Sequence, residues 1–419
     1  MNTTTHIPPA APGRPQKRLA VVTMGVKLGD ETRGYTRFRF LSELLVKNGF
    51  EVDLITSSFQ HWEKALRDTT KSCYRNLPYN VVFIDEPGYQ KNLDLDRIRS
   101  HRVAARNIRT YFAAHPETYD LIYAEIPPND VARVCAESAA AAHIPFVADI
   151  NDLWPEAMRM VIDIPLVSDV AFYPFKRDAE KVYNLLTAAI GTSDEYAKRP
   201  ALSREKPYPH KTVYVGNDLS AFDAGAALYV DAIEKPTDEI WVSYAGTLGA
   251  SYDIRTLISA AASLADTQPL LRVKIMGDGP DKETLQKQSV QLGAPVDFLG
   301  YMDYEHMAAY LVKSDITVNS LVKDAPQSIV TKIGDYLASA HPMINTGSSP
   351  EFRAKVSAGN FGINVDAESS ADLADAIERL AKNPSKRKIM GARARRIAET
   401  EFDQSTAYQK IVNLIQTLV

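Results

Sequence analysis

Short apolar runs alternate with amphipathic stretches along most of the chain. Residues 19–24 are apolar and end in Gly25. Residues 37–48 repeat their apolar positions at helical spacing and are closed by Gly49, a residue suited to the position just past a helix end. Residues 51–56 are apolar again, so the chain opens as a βαβ unit of a parallel sheet. Further strands are expected at 81–84, 120–124, 146–149, 188–191 and 212–215, most of them separated by helical stretches. The rhythm then restarts. A strand at 240–245 runs into the turn Gly246-Thr247-Leu248-Gly249, and a helix follows with Ile254, Leu257, Ile258, Ala261 and Leu264 on one face. Strands at 271–276, 296–301 and 342–345 and a helical tail at 384–419 complete the second half. Between the halves, residues 221–238 are small and polar and read as a linker.

A candidate site lies where residues 328–339 read as the first turns of a helix. Ser328 is a suitable N-cap, and Ile329, Ile333, Tyr336 and Leu337 repeat at the spacing of a face turned to a sheet. Lys332 and Asp335 are three positions apart, on one side of that helix near its start. A cation beside free amides suits a phosphate, and a carboxylate one turn on suits a ribose diol because it accepts from both hydroxyls. An ordinary surface ion pair gives the same spacing.

The stretch Ser328-Ile329-Val330-Thr331-Lys332-Ile333-Gly334-Asp335-Tyr336-Leu337-Ala338-Ser339 and the strand after it resemble the donor-site helix of retaining glycosyltransferases of family 4. That resemblance implies the GT-B architecture: an α/β fold of two Rossmann-like domains facing a central cleft, with a C-terminal helix crossing back to the first domain. The expected division is a disordered tail at 1–17, an acceptor domain at 18–220 completed by about 398–419, and a nucleotide-sugar donor domain at 221–397. It also implies that Lys332 pairs with the donor pyrophosphate and Asp335 holds the ribose. Gln327 stands where the family has a carboxylate that contacts the donor sugar. Gly246 and Thr247 fall in the pyrophosphate loop, and Asp278, Gly279 and Tyr301 border the base. Gly34 and Arg37 are placed at the loop after the first strand, facing donor phosphates or acceptor. The segment Asp149-Ile150-Asn151-Asp152-Leu153-Trp154-Pro155-Glu156 resembles a branch that includes N-acetyl-L-fucosamine transferases of bacterial surface polysaccharide synthesis. Asn151 replaces that branch's Arg. Asp152 is the expected cleft residue, and Trp154 is expected to pack. The implied reaction transfers a sugar from a nucleotide diphosphate, UDP favoured over GDP, to a saccharide or polyprenyl-linked acceptor with retention. No cofactor beyond this co-substrate is expected.

The stretch 97–112 carries Arg99, Arg102, Arg106 and Arg109 in one stripe, beside a second stripe of Ile98, Ala105, Ile108 and Phe112, with no acid between Arg97 and Phe112. This is the pattern of a basic amphipathic helix at an anionic membrane surface, or of an outer helix on a sheet. Composition narrows the rest. A chain of 419 residues with 45% apolar and 24% charged residues has room for two full cores, and a net charge of -4 argues against a dedicated nucleic-acid binder. Cys73 and Cys135 match no metal spacing and read as reduced thiols of a cytoplasmic protein, peripheral at the inner face of the plasma membrane if the basic stripe touches lipid. No metal cluster is visible. No run of 18 apolar residues occurs, and the polar, Pro-rich first sixteen residues lack the apolar core of a signal peptide. No GxGxxG follows the first strand, against an NAD or FAD enzyme. A catalytically silent partner subunit of a transferase, or a sugar-nucleotide epimerase of the same architecture, remain open alternatives.

Overall fold

The βαβ rhythm folds into two separate parallel sheets. In this computed structural model one unit comprises Met1–Thr212 with Tyr408–Val419, and the other Val213–Ala407. The residues described are 16–29, 31, 34–91, 94–159, 167–323, 325 and 329–419. Gln327 and Ser328, and all but the end of the expected N-terminal tail, lie outside them.

In the first unit the strands are β1 (Arg18–Val22), β2 (Glu51–Ser57), the short pair β3 (Phe59–Gln60) and β4 (Ala65–Leu66), β5 (Asn80–Ile84), β6 (Leu121–Ile126), β7 (Phe146–Ile150), β8 (Ala188–Gly191) and β9 (His210–Thr212). The main sheet has the order β5-β2-β1-β6-β7-β8-β9, and its neighbours pair in parallel. Val21 lies opposite both Leu54 and Tyr123. Leu19, Ala20, Val21 and Val22 are all fully buried, as strands covered by helices on both faces must be. The second unit repeats the plan with β10 (Ile240–Ala245), β11 (Leu271–Met276), β12 (Val296–Gly300), β13 (Ile316–Asn319), β14 (Met343–Asn345) and β15 (Gly362–Asn364), in the order β12-β11-β10-β13-β14-β15. In each sheet the order reverses at the first strand. In doubly wound sheets the carboxyl ends of the strands beside that reversal form the ligand crevice.

Four expectations change. Residues 221–238 are not a linker: helix Leu219–Tyr229 packs within the second unit against helix Tyr304–Lys313, and a Cβ on Gly225 would lie 3.0 Å from Glu305 Cα. The small residues read as linker composition are what lets two helices approach closely. The last strand of the first sheet is His210–Thr212 and ends where 212–215 was expected to begin. The helical tail is broken by a π turn, Ala398–Phe402, after helix Pro384–Ile397, and the segment that groups with the first unit begins at Tyr408, not at about 398. In helix Leu95–Ala114 the arginines at 99, 102, 106 and 109 are exposed, but Ala105, Ile108 and Phe112 are buried in the core of their own sheet. That apolar stripe is therefore not available to insert into a bilayer. Among the described residues no helix is long and apolar enough to cross a membrane.

Candidate functional site

Two loops meet at the reversal of the second sheet. One follows β10 and begins at Gly246; the other follows β13 and leads to Lys332. Between them stands Tyr336, fully buried, whose hydroxyl accepts from the Ala245 amide at 2.8 Å and donates to the Ala245 carbonyl at 2.9 Å. This clamp fixes the end of β10 against the short helix Ile333–Ala338. The helix starts four residues later than the pattern suggests, so Lys332 immediately precedes it instead of lying on its face.

Lys332 is half-buried as a residue, but its Nζ is fully enclosed and has no hydrogen-bond partner among the described residues. It sits 4.0 Å from the ring centre of Tyr244 and 3.9 Å from that of Tyr252. Burial holds its pKa well below the usual lysine value. An ammonium in that position favours an anion that restores its charge. Gly246 supplies the space: its φ is +147°, and a Cβ there would fall 2.9 Å from Lys332 Nζ and 3.2 Å from the Tyr244 hydroxyl. Tyr244 in turn donates to the Thr247 carbonyl at 2.7 Å and shapes the turn, while Thr247 itself is exposed. The turn at 277–279 closes the other side of this loop. The Leu248 amide donates to the Asp278 carbonyl at 2.9 Å, and a Cβ on Gly279 would meet the Leu248 carbonyl oxygen at 2.2 Å. Loop-on-loop packing thus requires Gly279 irrespective of any ligand.

Asp335 is held from two sides. Asn217 Nδ2 at 2.9 Å and the Tyr304 hydroxyl at 2.7 Å both donate to its Oδ1. Oδ2 has no hydrogen-bond partner among the described residues. Burial raises the carboxyl pKa to about 6, against the two hydrogen bonds, which lower it. Asp278 is exposed and accepts from the Gly279 amide at 2.8 Å and from Lys282 at 3.3 Å, contacts that lower its pKa. Tyr301 follows β12 and is 73% exposed.

The structure therefore brings Lys332, Asp335, Gly246 and Thr247 to one end of one sheet, with Asp278 and Gly279 on the adjoining turn. Sequence reading places Tyr252 with Thr247 in the neighbourhood of the Gly246 turn but misses Tyr244 and Asn217 as members of this group; Tyr244 is marked only by its nearness to that turn.

Asp152, Gly34 and Arg37 belong to the first unit. Asp152 is half-buried and accepts from the Leu153 amide at 2.8 Å and from Trp154 Nε1 at 3.2 Å, and burial raises its pKa. Trp154 packs against His101 and Phe175, with the Arg97 guanidinium 4.8 Å from its ring centre. Gly34 backs onto the Trp62 ring. Arg37 is a correction. It is 1% exposed and forms a two-pronged ion pair with Asp149, at 2.9 and 3.0 Å, and its Nη1 donates to the Tyr408 hydroxyl at 3.1 Å. Its charge is committed inside the core and does not face a ligand. Among the described residues no group of three His, Cys, Asp or Glu side chains could hold a metal ion.

Residues 228–397 match the family Glycosyl transferases group 1. Over 346 residues the chain is 22% identical to the Bacillus subtilis (strain 168) protein named "Putative glycosyltransferase EpsD", covering 81% of this chain and 85% of that one. Over 168 residues it is 24% identical to a Corynebacterium glutamicum protein named as a GDP-mannose-dependent monoacylated alpha-(1-6)-phosphatidylinositol monomannoside mannosyltransferase, 39% of this chain and 43% of that one. Among solved structures, the complex of Anabaena HepE with UDP superposes with a TM-score of 0.69 at 18% identity, covering 96% of this chain and all of that one. Two Rossmann-ordered sheets, a lysine enclosed at the reversal of the second and these likenesses converge: the chain carries the GT-B fold, and its residues 228–397 resemble the Glycosyl transferases group 1 family.

Proposed function

We propose that the protein is a retaining glycosyltransferase that moves a sugar from a nucleotide diphosphate, a UDP-sugar first, to a saccharide acceptor, free or lipid-linked. The observation that carries this reading is the enclosed Lys332 ammonium beside Gly246, which has no hydrogen-bond partner among the described residues. An uncompensated buried cation is costly unless an anion completes it, and a donor diphosphate is such an anion. As the bond to the sugar lengthens, negative charge grows on the departing phosphate. Lys332 is held in place beforehand to meet that charge. Asp335 Oδ2 is the acceptor for a ribose hydroxyl. No side chain need act as nucleophile: retention can proceed with the departing phosphate taking the acceptor proton. The Asp149–Glu156 segment favours an N-acetylated hexosamine of a bacterial surface polysaccharide as the sugar. UDP is placed first because the HepE structure holds it; the mannosyltransferase relative, GDP-mannose-dependent by its name, keeps GDP in the comparison.

The test is thermal melting with UDP, GDP or ADP. A diphosphate at 100 times its dissociation constant adds about 2.7 kcal/mol of stability, a shift of several degrees. If none of the three raises the melting temperature, the reading fails. If one does and the matching nucleotide sugars are neither transferred nor hydrolysed, the chain is a silent partner subunit.

Gly246→Ala sharpens the same test. The added methyl lands on Lys332 Nζ at a φ that side chains rarely adopt, so the ligand-free protein is expected to lose about 1–3 kcal/mol, and the diphosphate shift is expected to vanish. Gly249→Ala meets nothing nearer than 3.7 Å and is expected to melt like the native chain. Equal melting of the two variants, both with the shift intact, would show that the Gly246 turn is not part of the site.

A further inference from the structure

Helix Leu95–Ala114 packs on helix Asn129–Ala141, which packs in turn on helix Val167–Leu185, and the outer face of this layer carries two neighbouring hollows. The first, of about 320 Å³, is lined by Arg102, Arg106, Arg109, Arg133 and Arg177 over a floor that includes Ala105 and Val134. Three carboxylates lie among these arginines, Asp130, Asp178 and Glu137. Glu137 accepts from Arg109 at 2.7 Å and from Arg133 at 3.0 Å, and Asp178 pairs with Arg133 at 3.1 Å and Arg177 at 2.9 Å. Burial raises the Asp130 carboxyl to about 6, which leaves it largely ionised at pH 7, so five arginines face three carboxylates. Arg102 and Arg106, one helical turn apart and both exposed, have no ion pair among the described residues. The hollow thus keeps uncompensated positive charge on exposed side chains.

The second hollow, of about 290 Å³, is walled mainly by Phe112, Ala113, Tyr119, Ile122, Ala141 and Ile144, and Arg109 lines both. A cationic hollow joined through one arginine to an apolar one matches an amphiphile with an anionic head. We propose that this face of the first unit docks on a membrane surface by seating the phosphate of an anionic phospholipid among Arg102, Arg106 and Arg109, with the start of its chain in the apolar hollow. This differs from helix insertion, which the burial of Ala105, Ile108 and Phe112 rules out for this conformation. The proposal does not rest on the transferase reading, since Lys332 and its neighbours lie in the other unit.

The experiment is co-sedimentation of the full chain with phosphatidylcholine vesicles, with and without phosphatidylglycerol. Binding is expected only with phosphatidylglycerol and weakens as salt rises. Arg102→Gln with Arg106→Gln lowers the partition coefficient about thirty-fold, the fold-change that two basic residues at about 1 kcal/mol each correspond to. Ala141→Trp, which fills the apolar hollow from an exposed position, lowers binding without changing its salt dependence. All of these positions are exposed, so the melting temperature and the diphosphate shift stay as in the native chain, which separates this proposal from loss of fold and from failure at Lys332. The proposal is overturned if the native chain ignores phosphatidylglycerol or if the arginine variant binds equally well. It is also overturned if inorganic pyrophosphate alone displaces the protein from vesicles at low millimolar concentration, the mark of a soluble-anion site.

Discussion

Lys332→Met is expected to stabilise the ligand-free protein and to remove its activity. Met keeps the length of the side chain and fits between the Tyr244 and Tyr252 rings, but carries no charge to desolvate. Enclosing an ammonium costs several kcal/mol, and cation–π contacts return up to about 2 kcal/mol, so the exchange gains on the order of 1–2 kcal/mol. Transfer is expected to fall about 100- to 1,000-fold, the loss typical of removing one preorganised donor to developing charge. The pH dependence carries the same signature. The folded chain holds the Lys332 pKa well below normal, while the unfolded chain leaves it near 10.4. The unfolded state therefore binds more protons in the window between those values, and native stability rises with pH across it. The penalty is complete below the folded value and gone above about 10.4. Denaturant midpoints against pH are expected to show this rise in the native chain and to lose it in Lys332→Met. A variant that is destabilised, or that keeps the slope, would mean that the ammonium already has a partner in the free protein.

What the sequence disclosed and what it hid follow one rule. Features set by local pattern were legible: the strand–helix alternation, Gly49 just past its helix with φ +88°, and the Gly246 turn at the end of an apolar strand. Features set by distant partners were not. Asp335 takes its hydrogen bonds from residues 118 and 31 positions away, so spacing could mark it as a candidate but could not say that one oxygen is already engaged. The basic stripe of residues 97–112 was visible, yet only packing decided that its apolar neighbour faces the sheet. The helix ahead of Lys332 was drawn too long for a related reason. The pattern of Ile329, Ile333 and Leu337 is helical, but Tyr336 anchors to Ala245 and the regular turns begin only at Ile333.

Arg37 is the sharpest case, and its removal is expected to have the largest effect on stability. Its partner Asp149 is 112 positions away and Tyr408 is 371, so nothing local distinguished it from a surface arginine near a loop. Asp149 has no exposed surface and also accepts from the Tyr123 hydroxyl at 2.6 Å. Arg37→Met would leave that carboxylate enclosed with no countercharge and loosen Tyr408, where the C-terminal segment joins the first unit. Breaking a buried pair from one side costs about 3–5 kcal/mol, a fall in melting temperature on the order of 10 °C for a unit of this size. Replacing both partners, Arg37→Met with Asp149→Leu, is expected to recover most of the loss, because no orphan charge remains. The diphosphate shift is expected to persist in the double variant. A double variant that melts like the native chain but no longer responds to UDP would instead return Arg37 to the donor site, and would mean that the buried pair opens when ligand binds.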